Sequence, residues 1–248
     1  MLNLPVSGVE TIVFLIYLGL WAGLLFGGLV WGTLDEEENR RMPLTTRLLS
    51  SFVLVIAGWT WFAIGQGTSV ASLALWIAIG MTLGFLGDVF MAQVFTVEPY
   101  VLYGMGAFGI GHVAYIIGMM TVLQHHSIEL VIVVLVFGLW WAIASILWYY
   151  VVFKRSKPSL LVYIALPYAL LLASTVAVAM LLTLSNQTYA LIWIGAILFL
   201  VSDLILAGQL FARLHFRQIG DVVWLLYGPG QMLIVFGVIL YTVLSIFI

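Results

Sequence analysis

The chain has 248 residues, 65% of them hydrophobic and only 7% charged, with a mean hydropathy of +1.23, whereas a soluble domain carries about 25% charged residues. A net charge of −2 with no long basic tract argues against nucleic acid as a partner. The absence of cysteine excludes disulfides, thiolate metal sites and cysteine nucleophiles, so the composition describes an all-α integral membrane protein.

A spanning helix needs about 20 mostly apolar residues, and polar or turn-rich stretches divide the chain into eight such segments: 9 to 33, 44 to 66, 70 to 93, 100 to 124, 128 to 153, 159 to 184, 188 to 211 and 220 to 247. They are expected to form an eight-transmembrane-helix bundle, one polytopic membrane domain over 1–248, because short connections make consecutive helices antiparallel neighbours. The first segment is expected to be retained: MLNLPVSGVE has no Lys or Arg, and no small-residue cleavage pattern follows the apolar run. All eight Lys and Arg lie at the first, fifth and seventh loops, as Arg40, Arg41 and Arg47, then Lys154, Arg155 and Lys157, then Arg213 and Arg217. Cytoplasmic loops retain positive charge. Both termini are therefore predicted on the non-cytoplasmic side, of the plasma membrane or, in a prokaryote, the inner membrane.

Few ionisable residues remain inside the segments: Asp88 in the third, His112 in the fourth and Asp203 in the seventh, while Asp221 opens the eighth. An Asp at the centre of a membrane helix is unfavourable by roughly 2.5 to 3.5 kcal/mol, so something must offset it. For any one residue, a structural hydrogen bond to a neighbouring helix is as good an explanation as a site. Depth favours the site. At about 1.5 Å per residue, Asp88 and Asp203 lie roughly 8 and 12 Å inside the cytoplasmic end, His112 roughly 18 Å, and Tyr227 and Gln231 roughly 10 to 17 Å. Ionisable groups in a membrane face the bundle interior and mark a site or pathway, and one shared polar pocket explains the overlap.

The fourth segment carries YGMGAFGIGH (103 to 112), whose glycines allow close helix approach. The eighth carries YGPGQ (227 to 231), where Pro229 cannot donate to the carbonyl of Leu225. A helix break there is expected to line a cavity. GDVFMAQVF (87 to 95) and SDLILAGQLF (202 to 211) are alike, and His112 and Tyr227 each follow their Asp by 24 positions, which suggests a parallel 4+4 pseudo-repeat.

LGFLGDVFMAQVF (83 to 95), GAFGIGHVAYIIG (106 to 118), GAILFLVSDLILAGQLF (195 to 211) and the Tyr and Gln of LLYGPGQMLI (225 to 234) together resemble the YhhN-like lysoplasmalogenase family of multi-pass membrane proteins. The GPG between Tyr227 and Gln231 departs from the sequence usual there. The resemblance implies hydrolysis of the vinyl ether bond of a lysophospholipid or another ether lipid, giving a fatty aldehyde and a glycerophospho-alcohol. That chemistry needs an acid still protonated at neutral pH, a state favoured by desolvation and by a second carboxyl, and a group that stabilises an oxocarbenium ion, as glycosidase carboxylates do. Asp88 and Asp203 are expected to form this pair, with His112 as proton relay or as the group that sets the pair's charge. Tyr115, Tyr227 and Gln231 are expected to orient water or the head group, and Ser202 to be a supporting donor or a small packing residue. Arg213 and Arg217 would meet a lipid phosphate at the surface, or act only as topology determinants. No cofactor or metal is expected, and the oligomeric state is left open.

Two rivals stand beside this reading. A proton- or cation-coupled carrier of small molecules or lipids also accounts for eight helices, a repeat and buried aspartates. A metal-dependent hydrolase would use Asp88, His112, Asp203 and His215, but His215 lies in a loop and no paired histidines occur within a segment.

Overall fold

Each apolar run between two polar loops forms one helix. The computed structural model describes residues 8–247, and its long elements are α1 (Gly8–Trp31), α2 (Leu44–Ile64), α3 (Ala71–Met91), α4 (Tyr100–Leu123), α5 (Leu130–Val151), α6 (Leu160–Ser185), α7 (Ala190–Ala212) and α8 (Ile219–Phe247). All eight are long and apolar enough to cross a membrane, and the chain is a multi-pass membrane protein. Residues 1–7, part of the stretch used to argue against a leader, lie outside the described residues. Local chemistry sets several starts. Pro43 and Pro99 immediately precede α2 and α4 in extended conformation, where a missing N–H does no harm, and the Ser159 hydroxyl accepts from the Val162 amide at the start of α6.

α1 and α5 are the most exposed helices and α4 and α8 the most enclosed. α3 packs along α4 and α7 along α8, and small residues make both approaches close. On α3, Gly80, Gly84 and Gly87 share one face. A Cβ on Gly80 would lie 2.4 Å from the Tyr115 ring, on Gly84 2.9 Å from Gln231 Nε2, and on Gly87 2.8 Å from the Phe108 ring. On α7, a Cβ on Gly195 would lie 2.6 Å from the Gly230 carbonyl of α8. Gly195 and Gly230 stand 115 positions after Gly80 and Tyr115, the offset that also separates Asp203 from Asp88 and Tyr227 from His112. In each half the two positions lie against one another.

The expected break in α8 does not occur. The helix runs continuously through Pro229. Its flanking glycines serve close approach instead, Gly228 against Leu25 of α1 and Gly230 against the backbone of Gly195 and Phe199.

All eight cations gather at one end of the bundle. The Gln218 amide donates to the Glu38 carbonyl at 2.7 Å and the Gly220 amide to the Asn39 carbonyl at 2.8 Å, joining the α7–α8 loop to the α1–α2 loop. The Ser156 hydroxyl donates to the Phe211 carbonyl at 2.9 Å, joining the α5–α6 loop to the end of α7. Asp221, at the first turn of α8, accepts from the Arg41 amide at 2.6 Å and the Met42 amide at 3.0 Å, so it clamps the α1–α2 loop rather than facing a site.

Candidate functional site

Asp88 lies near the end of α3 and is buried, and its Oδ2 accepts two hydroxyl protons: Ser51 of α2 at 2.5 Å and Tyr227 of α8 at 2.8 Å. The Tyr227 hydroxyl donates to Asp88 and in turn accepts from Gln231 Nε2 at 3.5 Å, and Gln231 Oε1 accepts from the Tyr115 hydroxyl at 2.7 Å. The chain ends in the core, with the Tyr115 oxygen 3.8 Å from the Met81 sulfur. Every donor in it points toward Asp88. This arrangement holds one carboxyl oxygen of Asp88 in place. Tyr115 and Gln231 are 2% and 1% exposed and lie behind Tyr227 in the core.

Asp203 of α7 is half-buried and accepts from the Tyr168 hydroxyl of α6 at 2.5 Å. Asp88 and Asp203 line one cavity of about 380 Å³ at the cation-bearing end, together with Tyr227, Phe108, Arg40 and Arg47. Asp203 also lines a second, apolar cavity of about 90 Å³ bounded by α4, α5, α6 and α7, whose walls include Trp148, Leu172, Leu204 and Phe211. Met91, Phe108 and Leu206 are common to both cavities, so they adjoin, with Asp203 at the junction.

His112 is not brought to the carboxylates. Its Nδ1 pairs with the Thr175 hydroxyl of α6 at 2.9 Å, its ring meets Phe199 edge-on at 4.5 Å, and Nε2 is buried without a partner. It lies behind Phe199, which packs in turn on the cavity-lining rings of Phe108 and Tyr227. Ser202 is at the cavity wall, but its hydroxyl donates to the Val223 carbonyl at 3.0 Å and ties α7 to α8. Arg213 and Arg217 do not meet the cavity. Both are exposed, and Arg217 Nε lies 3.9 Å from Glu38 Oε2. His215 is exposed in the same loop. Among the described residues no three His, Asp or Glu side chains come together as a metal-ligand group.

Sequence reading placed the site on α3, α4, α7 and α8, and the structure adds α2 and α6. Ser51, Arg47, Tyr168 and Thr175 were missed. One signal was available: Arg47 and Ser51 are four residues apart on α2 and share a face, so a cation counted only for topology was in register with a buried hydroxyl. Tyr168 and Thr175 had no such signal, because nothing in an apolar helix marks which hydroxyl meets a distant carboxylate.

No curated protein and no solved structure matches the chain. The model of the YhhN family matches residues 10–238, a span holding all eight helices' site-bearing portions and both aspartates, and the chain belongs to the YhhN family.

Proposed function

We propose that the chain is a membrane-embedded hydrolase that cleaves the vinyl ether bond of lysoplasmalogen-type lipids, with Asp88 and Asp203 as an acid–base pair. The observation that carries this reading is that two carboxyls from different helices line one cavity, each fixed by a tyrosine hydroxyl and one of them bordering an apolar chamber. Asp203 borders the apolar chamber that suits an alkenyl chain, and it is the proton donor to the alkenyl carbon distal to the ether oxygen. Asp88 accepts two hydroxyl protons, which suits an acceptor-only carboxylate; it faces the oxocarbenium ion and takes a proton from the attacking water. The hemiacetal then collapses as Asp88 returns that proton to the departing alcohol oxygen and Asp203 takes the hemiacetal hydroxyl proton. One water is consumed, an aldehyde and a glycerophospho-alcohol leave, and both carboxyls regain their starting states. Tyr227, Gln231 and Tyr115 position Asp88, Tyr168 positions Asp203, and His112 acts only through α4–α6 packing.

The test is aldehyde release by the purified protein from a vinyl ether lysophospholipid in D2O. Rate-limiting proton transfer to carbon is expected to slow aldehyde release in D2O relative to H2O, and an unchanged rate would argue against that step. Asp88→Asn and Asp203→Asn are each expected to lower the rate by about 10²- to 10⁴-fold, the usual contribution of a positioned acid or base. No aldehyde from any head group, with the protein folded, would overturn the hydrolase reading and favour the carrier.

A further inference from the structure

The cavity that holds the two aspartates also holds two guanidinium groups that, among the described residues, make no ion pair with a carboxylate. Arg47 is only 8% exposed, and among the described residues its side chain makes no hydrogen bond or ion pair; its Nε is fully buried and unpartnered. Its one specific contact is with the Trp224 ring, 5.5 Å from the guanidinium carbon, which fixes the plane of the group. Arg40 also lines the cavity, and its Nε is likewise buried and unpartnered. Two neighbouring loop cations are engaged: Arg41 donates to the Gly32 and Val30 carbonyls at the end of α1, and Arg217 faces Glu38. The nearby carboxylate of Asp221 has both oxygens on backbone amides. Asp88 and Asp221 act on Arg47 only at longer range, with no direct hydrogen bond; a buried charge without a hydrogen-bonded partner is unfavourable, and the open volume beside it suits an anion that enters the cavity.

The position of Arg47 selects the anion. It lies one turn before Ser51 on α2, about 6 Å nearer the loop end by helix rise, while Ser51 itself touches Asp88. A ligand with its reacting bond between Asp88 and Asp203 and its anion at Arg47 therefore needs a short polar spacer between the two, and an apolar tail for the chamber beyond Asp203. With one carboxyl protonated and one ionised, the two arginines leave the cavity one positive charge in excess, the complement of a phosphodiester monoanion. A planar guanidinium presents paired donors that fit phosphate oxygens.

We infer that Arg47, with Arg40 beside it, is the subsite for the phosphodiester of a single-chain ether lysophospholipid, with the glycerol spanning from Arg47 to the aspartates. This deepens the hydrolase reading and rests on the same lipid class, so its test uses lipids that cannot be cleaved. Binding of a saturated 1-O-alkyl lysophospholipid to the purified detergent-solubilised protein is measured by calorimetry, beside the 1-O-alkylglycerol that lacks the phosphate. Arg47→Met is expected to weaken the phospholipid at least about tenfold, as loss of charge-assisted hydrogen bonds implies, and to leave the alkylglycerol within about twofold. Arg40→Ala, at a half-buried loop position, is expected to show the same selectivity to a smaller extent, and Arg47→Lys to keep part of the affinity. Equal loss for both lipids, or no loss in either variant, would overturn the assignment. Glycerol 3-phosphate competing as tightly as the lipid would overturn its lipid source in favour of a free phosphate. Failure of the hydrolase reading would appear separately, as absent aldehyde with phosphate-selective binding intact.

Discussion

Tyr227→Phe removes one hydroxyl from the centre of the buried chain and changes almost no volume. Asp88 Oδ2 then keeps only the Ser51 donor, and Gln231 Nε2 loses its acceptor. A hydrogen bond to a charged group contributes about 1.5 to 3 kcal/mol. If that term is expressed in the transition state, the rate falls roughly ten- to hundred-fold. Tyr115→Phe provides the comparison, because it removes the donor at the far end of the same chain and leaves both bonds to Asp88. Each variant leaves one buried amide atom unsatisfied, a penalty of about 1 to 3 kcal/mol in stability, so their melting temperatures are expected to fall alike. The assay is kcat/KM for aldehyde release alongside thermal unfolding in detergent. A large rate loss for Tyr227→Phe with only a several-fold loss for Tyr115→Phe supports a chain that ends on Asp88. Equal rate losses, or an unaffected Tyr227→Phe, would refute that account of the chain.

Tyr168→Phe removes the hydroxyl that holds Asp203 and is expected to lower kcat/KM by a factor comparable to Tyr227→Phe, with unchanged binding of the uncleavable alkyl lipid. His112→Gln is expected to lower stability by about 1 to 2 kcal/mol through the lost Thr175 bond while aldehyde release stays within a few-fold; a loss as deep as that of the aspartate variants would restore the relay role. Gly80→Val places a side chain against the Tyr115 ring and the Gly111 carbonyl, and overpacking of this kind is expected to destabilise by about 1 to 3 kcal/mol. The control is Gly106→Ala, whose Cβ meets nothing within 4 Å, and equal melting temperatures for the two would overturn the packing argument.

The eight helices were legible because a lipid-spanning segment must be long and apolar, and composition alone reports that. The aspartates were legible for the complementary reason: a charge in such a segment stands out. Hydroxyls do not stand out in the same way, and so Ser51, Tyr168 and Thr175 escaped notice although they supply the bonds that fix the site. Pro229 misled in the opposite direction. A proline flanked by glycines signals a break, yet α8 continues, because the same glycines let Leu25 and Gly195 pack against the helix from two sides. Arg47 shows the limit of reading charge by loop: at the start of α2 it is close enough to an end to count for topology, and only the fold reveals that it is buried beside Trp224.

The 115-residue correspondence between halves also shows why the two aspartates differ. Each accepts a hydroxyl from the helix before it, Asp88 from Ser51 of α2 and Asp203 from Tyr168 of α6. Tyr227 of α8 then crosses to Asp88, but His112, which stands at the same spacing after Asp88 as Tyr227 after Asp203, turns to Thr175 and meets Phe199. Asp88 therefore gains a second donor from the opposite half and Asp203 gains none. The side of Asp203 left without that donor opens on the apolar chamber walled by Trp148, Leu172 and Phe211. Positions 115 residues apart thus place two carboxyls in one cavity, one held by two hydroxyl donors and the other by a single donor beside the apolar chamber, and the proposed split of acid and acceptor roles rests on that difference.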